Sequence, residues 1–372
     1  MKHLRIFMVC LLGVILVFTT CVGTGRLNGS VPEGPIKNII LMIGDGMGTV
    51  HEDAGRTAKS GPLEWDNFNY RYSMTTYSAD NPVTESAAAA TAMATGVKTN
   101  NGWLAIAPGS SSAEPLDTIM DKARSMGKLS GVITSDLLYG ATPAAFSSFE
   151  TSRSNTNSVV ERQIIKGVDL LMGGHSGNAY TDRKSNFERA GYGFAASLAS
   201  AKNMRQNKII ALFSDVTPFG AGTSETLQDM TVFALDWLSR KGLGFVLMIE
   251  GAKIDHRSHD NNFSAMITEL LAFDECVKIV KDWAALRDDT VIIVTADHET
   301  GGLTSNNDGT YIFTTNGHTA ANVNFNIAHR FSEDLPFEWT LLNGGTIDNT
   351  DVFNIMRDLL DLKLHSQPVP PQ

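Results

Sequence analysis

Cysteine is scarce in this chain, with 3 among 372 residues, at Cys10, Cys21 and Cys276. Cys10 lies in an apolar N-terminal stretch, which leaves Cys21 and Cys276 as the only candidates in a processed chain. Cys276 falls in an apolar helical pattern and reads as a small buried hydrophobe, so a disulfide-stapled scaffold is excluded. Positive charge is also short: 30 Lys and Arg against 40 Asp and Glu leave a formal net charge of -10. A non-specific nucleic-acid binder needs a basic face, so no nucleic-acid partner is expected. Any anionic substrate must then be drawn in by metal ions or a few placed arginines. Beyond the N-terminus there is no apolar run of the roughly 20 residues that a membrane-spanning helix needs. Disorder is excluded by the balance of 42% hydrophobic and 19% charged residues. The length suits one large domain with a buried core, and no internal repeat or second domain is visible.

What is present begins with a targeting segment. Lys2 and Arg5 precede an apolar run from Ile6 to Phe18 that is built like a signal peptide. The run ends at Thr19-Thr20-Cys21, where Cys21 would become a lipidated first residue; plain secretion and a retained anchor are the other outcomes of such a segment. The expected organisation is a signal at 1–20, a Gly-, Ser- and Pro-rich tether at 21–35 and one catalytic domain at 36–365. An exported bacterial protein follows, periplasmic or held on the outer membrane or cell surface as a lipoprotein.

Within the domain, apolar runs at Asn38–Ile43, Leu129–Thr134, Gly244–Glu250 and Asp289–Ala296 have the character of strands buried on both faces of a parallel sheet. Leu227, Met230, Ala234, Trp237 and Leu238 follow helical spacing up to Lys241-Gly242. Ile267, Leu270, Leu271, Val277 and Ile279 do likewise, and Leu359, Leu360 and Leu362 mark a last helix before a Pro-rich tail. Alternating strands and helices imply an α/β fold: a doubly wound, mostly parallel central sheet with helices on both faces.

In such sheets functional groups gather past the carboxyl ends of the strands. Asp45 follows the first apolar run, between Gly44 and Gly46, which let the backbone turn sharply. Glu250 ends a second run, with Asp255 and His259 after it at helical i, i+4 spacing. Asp297 and His298 end a third, and His318 sits in a glycine-containing loop. One such carboxylate is ordinarily a turn or helix cap, and one such histidine a satisfied polar residue. Seven together are too costly to bury unpaired, and mixed carboxylate and imidazole donors favour zinc or a similar ion.

A second signal is Glu85-Ser86 followed by Ala87-Ala88-Ala89-Ala90-Thr91-Ala92-Met93-Ala94-Thr95-Gly96. Alanine is the best helix former and Gly96 a natural stop, so Ser86 stands at a helix N-terminus, where amides and dipole favour an anion. Alone, such a serine would be read as a cap. Beside a cation cluster it reads as a nucleophile.

Taken together these blocks resemble the alkaline phosphatase family across the chain. They run in order as Ile43-Gly44-Asp45-Gly46-Met47-Gly48, Val83-Thr84-Glu85-Ser86-Ala87-Ala88, Ala141-Thr142-Pro143-Ala144-Ala145, Glu250-Gly251-Ala252-Lys253-Ile254-Asp255 with His259, Thr295-Ala296-Asp297-His298-Glu299-Thr300-Gly301-Gly302, and Gly317-His318-Thr319. The resemblance implies hydrolysis of phosphate monoesters through a phosphoserine on Ser86, with two Zn2+ and one Mg2+. It implies that Asp255, His259 and His318 hold one zinc, and Asp297, His298 and Asp45 the other. Asp45, Thr142 and Glu250 would hold the magnesium, and Arg153 would grip two phosphate oxygens. It also implies a homodimer.

Some positions depart from the family's pattern. Gly140 stands where relatives usually carry Asp or His beside the third metal, which leaves that site more open. Glu85 stands where Asp is common, with a longer arm that could still orient Arg153. His256 is placed to reach phosphate through water, or is simply exposed. His51, His175 and Lys98 are expected to be ordinary polar residues of loops or helix ends. The rival readings are a phosphodiesterase on the same scaffold, which Thr142 and Glu250 argue against, and a non-catalytic phosphate-binding lipoprotein.

Overall fold

The computed structural model describes residues 36–110, 114–214, 225–240, 242–330 and 343–362. The expected signal, the Cys21 lipidation site, the tether and the Pro-rich tail lie outside these residues. The strands are β1 (Asn38–Gly44), β2 (Tyr70–Thr75), β3 (Leu129–Leu137), β4 (Leu170–Gly174), β5 (Tyr192–Ala195), β6 (Lys208–Phe213) and β7 (Phe245–Gly251). They continue with β8 (Thr290–Thr295), β9 (Glu299–Thr300), β10 (Leu303–Ser305), β11 (Tyr311–Phe313), β12 (His318–Thr319), β13 (Val323–His329) and β14 (Thr346–Asp348). The helices are α1 (Thr49–Lys59), α2 (Ser86–Thr95), α3 (Ile119–Ser125), α4 (Ala141–Ser147), α5 (Thr156–Lys166) and α6 (Lys184–Arg189). After them come α7 (Leu198–Lys202), α8 (Leu227–Ser239), α9 (Lys253–His259), α10 (Phe263–Ala284) and α11 (Asp351–Asp361).

Ten strands form one sheet in the order β14-β2-β13-β8-β1-β7-β3-β4-β6-β5, and β13 alone runs against the others. The four runs read as buried strands become β1, β3, β7 and β8, adjacent at the centre of the sheet. Both faces of that centre are covered, so β1, β7 and β8 are buried at every residue. Helices α1, α8 and α10 pack on one side, and α2, α3, α4 and α11 on the other.

Register does more than strength here. Ile43 of β1 lies opposite Glu250 on β7 and opposite Thr295 on β8. Asp45, Glu250 and Asp297 therefore leave the sheet at nearly one level, side by side. The helix after Ser86 is buried along its whole length, which its alanines permit because they let α4 and α11 approach closely. It stops at Gly96, left-handed at φ 73°. Cys276 is free and fully buried on α10, as its pattern indicates. Among the described residues no helix is long and apolar enough to cross a membrane.

Candidate active site

The turn after β1 is built on a glycine that nothing else can replace. Gly46 has φ 71°, and a Cβ there would lie 2.9 Å from the Asp255 Cα. That close approach brings Asp45 against the start of α9, and the Gly46 amide donates to Asp297 Oδ1 at 3.1 Å. On α9 the i, i+4 spacing sets Asp255 and His259 on one face, with His259 Nε2 3.3 Å from Asp255 Oδ2. His318 arrives from β12, paired to β9, and its Nε2 lies 3.5 Å from Asp255 Oδ1.

The imidazoles are aimed by their far nitrogens. His259 Nδ1 is 2.6 Å from the Asn316 carbonyl and His318 Nδ1 is 3.0 Å from the Thr84 carbonyl. Carbonyls only accept, so each Nδ1 carries a proton and Nε2 is the nitrogen turned into the site. Those two Nε2 atoms lie 3.1 Å apart, facing the Asp255 carboxylate. With both Nε2 atoms deprotonated, two imidazole lone pairs and a carboxylate would converge on one point, the arrangement a cation requires.

A second convergence adjoins the first. Ligand atoms of Asp255, His259 and His318 lie within 4.8 Å of one another, as do those of Asp45, Asp255 and His298. Asp297, placed in the second set by the family pattern, stands at its edge with Oδ2 3.2 Å from His298 Nε2. Asp255 therefore faces both sets. Asp45 Oδ1 and Asp297 Oδ2 are buried with no hydrogen bond, an expensive condition for carboxylates unless an ion fills the space.

The electrostatics carry the same message. Burial first, then the charges of Asp297, Asp255 and Glu250, hold the Asp45 carboxyl well above its ordinary range. Burial pushes Glu250 up to about 8, against the Thr134 hydroxyl that favours its charged form. Asp255 goes the other way: despite burial, hydrogen bonds from His259 and His318 hold it far below the carboxylate range. His259 is raised to about 9 mainly by its hydrogen bond to Asp255. Buried His298 is lowered by desolvation and remains neutral, as a ligand must.

Glu250 marks a third place. Its carboxylate accepts from Thr134 Oγ1 and faces Thr142, the second residue of α4. Thr142 Oγ1 is buried, favours the ionised Glu250, and makes no hydrogen bond of ordinary geometry. All-oxygen donors suit a magnesium-class ion.

Ser86 opens α2, but it does not cap it. The cap is Glu85, whose Oε1 accepts from the amides of Ala88 and Gly102, each at 2.8 Å. The Ser86 hydroxyl is thereby released and lies 3.2 Å from His298 Nε2. The other oxygen of Glu85 takes Arg153 Nη1 at 2.6 Å, so the longer arm at 85 does orient the guanidinium. Against its burial, that guanidinium and three backbone amides hold Glu85 ionised, below its ordinary range.

All the residues singled out by sequence thus meet at one end of the central strands: Asp45, Ser86, Thr142, Arg153, Glu250, Asp255, His259, Asp297, His298 and His318. Others escaped it. Thr300 donates to Asp255 Oδ1 at 2.5 Å and lies 3.2 Å from His298 Nδ1, so it ties the two cation sets together. It stands in a quoted block, but nothing about a lone threonine announces that bridge. His51, expected to be an ordinary polar residue, is buried in α1 with Nε2 3.1 Å from Ser258 Oγ. Glu299 anchors the His318 strand by accepting from Thr319 and the Leu303 amide. If these two sets hold metal ions, replacing Thr300 with valine should keep the fold and weaken their affinity about 10-fold, since it removes the hydroxyl that contacts both Asp255 and His298. Competition against a calibrated chelator measures this, and an unchanged affinity would leave Thr300 a packing residue.

The family model described as alkaline phosphatase matches residues 36–334. The chain is 33% identical over 333 residues to alkaline phosphatase 3 of Bacillus subtilis (strain 168), covering 80% of this chain and 71% of that protein. In structure it is similar to the alkaline phosphatase of the Antarctic bacterium TAB5, with TM-score 0.76 and 25% identity over 88% of this chain and 98% of that one. A variant of the TAB5 enzyme with magnesium bound in its M3 site has TM-score 0.75, with the same identity and coverage.

Proposed function

Because the chain belongs to the alkaline phosphatase family and is a phosphoric monoester hydrolase, we propose that it works through Ser86 with two zinc ions and one magnesium. The donor sets support that complement. Asp255, His259 and His318 would hold one zinc, and Asp45, Asp297 and His298 the second, the orphaned oxygens of Asp45 and Asp297 finding their partner there. The oxygens of Asp45, Thr142 and Glu250 suit magnesium, and the TAB5 variant carries that ion in its M3 site. When bound, these ions lower the pKa of the attacking hydroxyl and stabilise negative charge on the departing oxygen.

The chain's own groups supply position. Ser86 Oγ gives up its proton to water and attacks phosphorus in line, forming the serine O–P bond as the bond to the alcohol oxygen breaks. The released alkoxide takes a proton from water. Arg153, steadied by Glu85, spans two non-bridging oxygens with its planar fork, a contact that lysine could not duplicate. The positive end of the α2 dipole, with Ser86 at its first position, would face the same phosphate. Water then displaces Ser86 from the opposite side, giving inorganic phosphate and restoring the hydroxyl. Loose phosphoryl transfer asks mainly for such positioning and charge neutralisation.

The observation that carries this reading is the Ser86 hydroxyl, freed from capping and lying against His298 beside carboxylates that lack counterions. The deciding experiment compares kcat/KM for an aryl phosphate monoester with that for the matching diester at alkaline pH, zinc and magnesium supplied. A monoester preference of several orders of magnitude is expected; a diester preference overturns the reading in favour of a phosphodiesterase. We also propose export, with either a lipid at Cys21 or simple cleavage, and a homodimer. The N-terminal segment supports the first and the family resemblance the second.

A further inference from the structure

The place for magnesium has a gap on one side. Gly140 is the N-cap residue of α4, and its backbone has no room for a side chain: a Cβ there would lie 2.8 Å from the Leu137 carbonyl oxygen. No carboxylate can therefore reach inward from position 140 without moving the β3–α4 turn. One reaches the same space from elsewhere. Asp136 Oδ2 lies 3.9 Å from where the Gly140 Cβ would stand.

Asp136 is held from two directions. Its amide donates to Thr134 Oγ1 at 3.1 Å, and that same hydroxyl donates to Glu250, so a single threonine couples the Asp136 backbone to the Glu250 carboxylate. From α9, His256 Nε2 approaches Asp136 Oδ2 to 3.4 Å. His256 directly follows Asp255, so the pair links the magnesium side of the site to the helix that carries the zinc ligands. Asp45, Asp136, Thr142, Glu250 and His256 share the lining of one cavity of about 40 Å³. Thr142, 1% exposed and without a hydrogen bond, belongs to the same lining.

We propose that Asp136, steadied by His256, is the outer carboxylate of the magnesium site, in place of a side chain at 140. It acts on the ion through water. Magnesium keeps several waters in a near-octahedral shell, and a carboxylate beyond the direct ligands accepts hydrogen bonds from them. Zinc favours nitrogen and few waters, so an added oxygen acceptor at this rim biases the site toward magnesium. Asp136 is thus a positioning and ion-selecting residue, acting through the ion's waters rather than on substrate. This rests on the three-ion reading above.

The test is magnesium binding by titration calorimetry on the zinc-loaded, full-length protein, with Asp136→Asn as the isosteric variant. The magnesium dissociation constant should rise about 10-fold or more, with no change in Tm of the zinc-loaded, magnesium-free protein. His256→Gln should shift it in the same direction, and Asp136→Glu should recover part of the affinity. Magnesium affinity of Asp136→Asn within twofold of the parent, in a parent that does bind magnesium, overturns the role of Asp136 alone. A zinc-loaded parent that takes up no magnesium overturns the three-ion reading and this role with it.

Discussion

Replacing Ser86 with alanine should lower kcat toward an aryl phosphate by about 10⁴-fold or more, because it deletes the nucleophile of a two-step displacement. What makes this variant informative is the division of labour at the start of α2. Had Ser86 been the cap, its loss would cost about 1 kcal/mol of stability and blur the result. Glu85 caps the helix instead, and alanine already fills the next four positions. The Ser86→Ala protein should therefore melt with the parent and take up the same metals. Acid quenching during turnover should trap phosphate on the parent chain and none on the variant. Phosphate trapped on the variant would place the nucleophile elsewhere. A kcat within tenfold of the parent would mean direct attack by water, with no covalent step.

The residues that could be read in sequence share a physical reason for being readable. Strands β1, β3, β7 and β8 are buried on both faces, so burial alone writes a continuous apolar run, and the first polar residue past each run marks the sheet's edge. Asp45, Glu250 and Asp297 were found in that way. The lateral strands leave a weaker trace: β2 alternates Tyr70, Arg71, Tyr72 and Ser73 because one side is more exposed, and β13 carries Asn324 and Asn326 among its apolar residues. The reversed direction of β13 leaves no trace, since hydropathy is blind to direction.

The partners of the site were illegible for a different reason. Thr300, Glu85 as a cap, and Asp136 act through contacts that exist only once register and turn geometry bring distant segments together. The Asp136–His256 approach spans 120 positions of chain, and its meaning depends on a backbone carbonyl that closes position 140. Asp136 does follow a buried run, so the strand-end logic that found Asp45 could have reached it. The glycine at 140 drew attention to what was missing rather than to what replaced it.

With its metals stripped by a chelator, the protein should lose thermal stability as pH rises from about 6.5 to about 9, while the zinc- and magnesium-loaded protein does not follow it. Burial lifts the Glu250 carboxyl from 4.5 to about 8, so the folded chain holds a proton there that the unfolded chain has given up. That contribution is complete below about 4.5 and lost as pH climbs through about 8. Asp45, raised by burial and by neighbouring carboxylates, acts in the same direction. His259, raised from 6.5 to about 9 by Asp255, stabilises fully below 6.5 and ceases to do so above about 9. His318 is also raised, by Asp255 and the Thr84 carbonyl against its burial. The opposing groups are His51, lowered by burial to about 4, and His298, lowered by burial as well. Their unfolded forms shed the proton near 6.5, so they add stability up to that pH and nothing beyond it. Asp255, depressed by its two histidines, changes stability only in strong acid. Above 6.5, then, these groups all pull downward or stand still. Bound cations remove the cause, since they favour the same carboxylates ionised and the same imidazoles neutral, and they bind the folded chain alone. Melting curves at pH 6.5, 7.5 and 9, with and without the ions, measure the gap; subtracting the two series cancels groups distant from the site. The gap should widen steadily toward pH 9. A gap that stays constant would mean that the buried carboxylates find their counterions within the protein, and that the cluster is not built around metal.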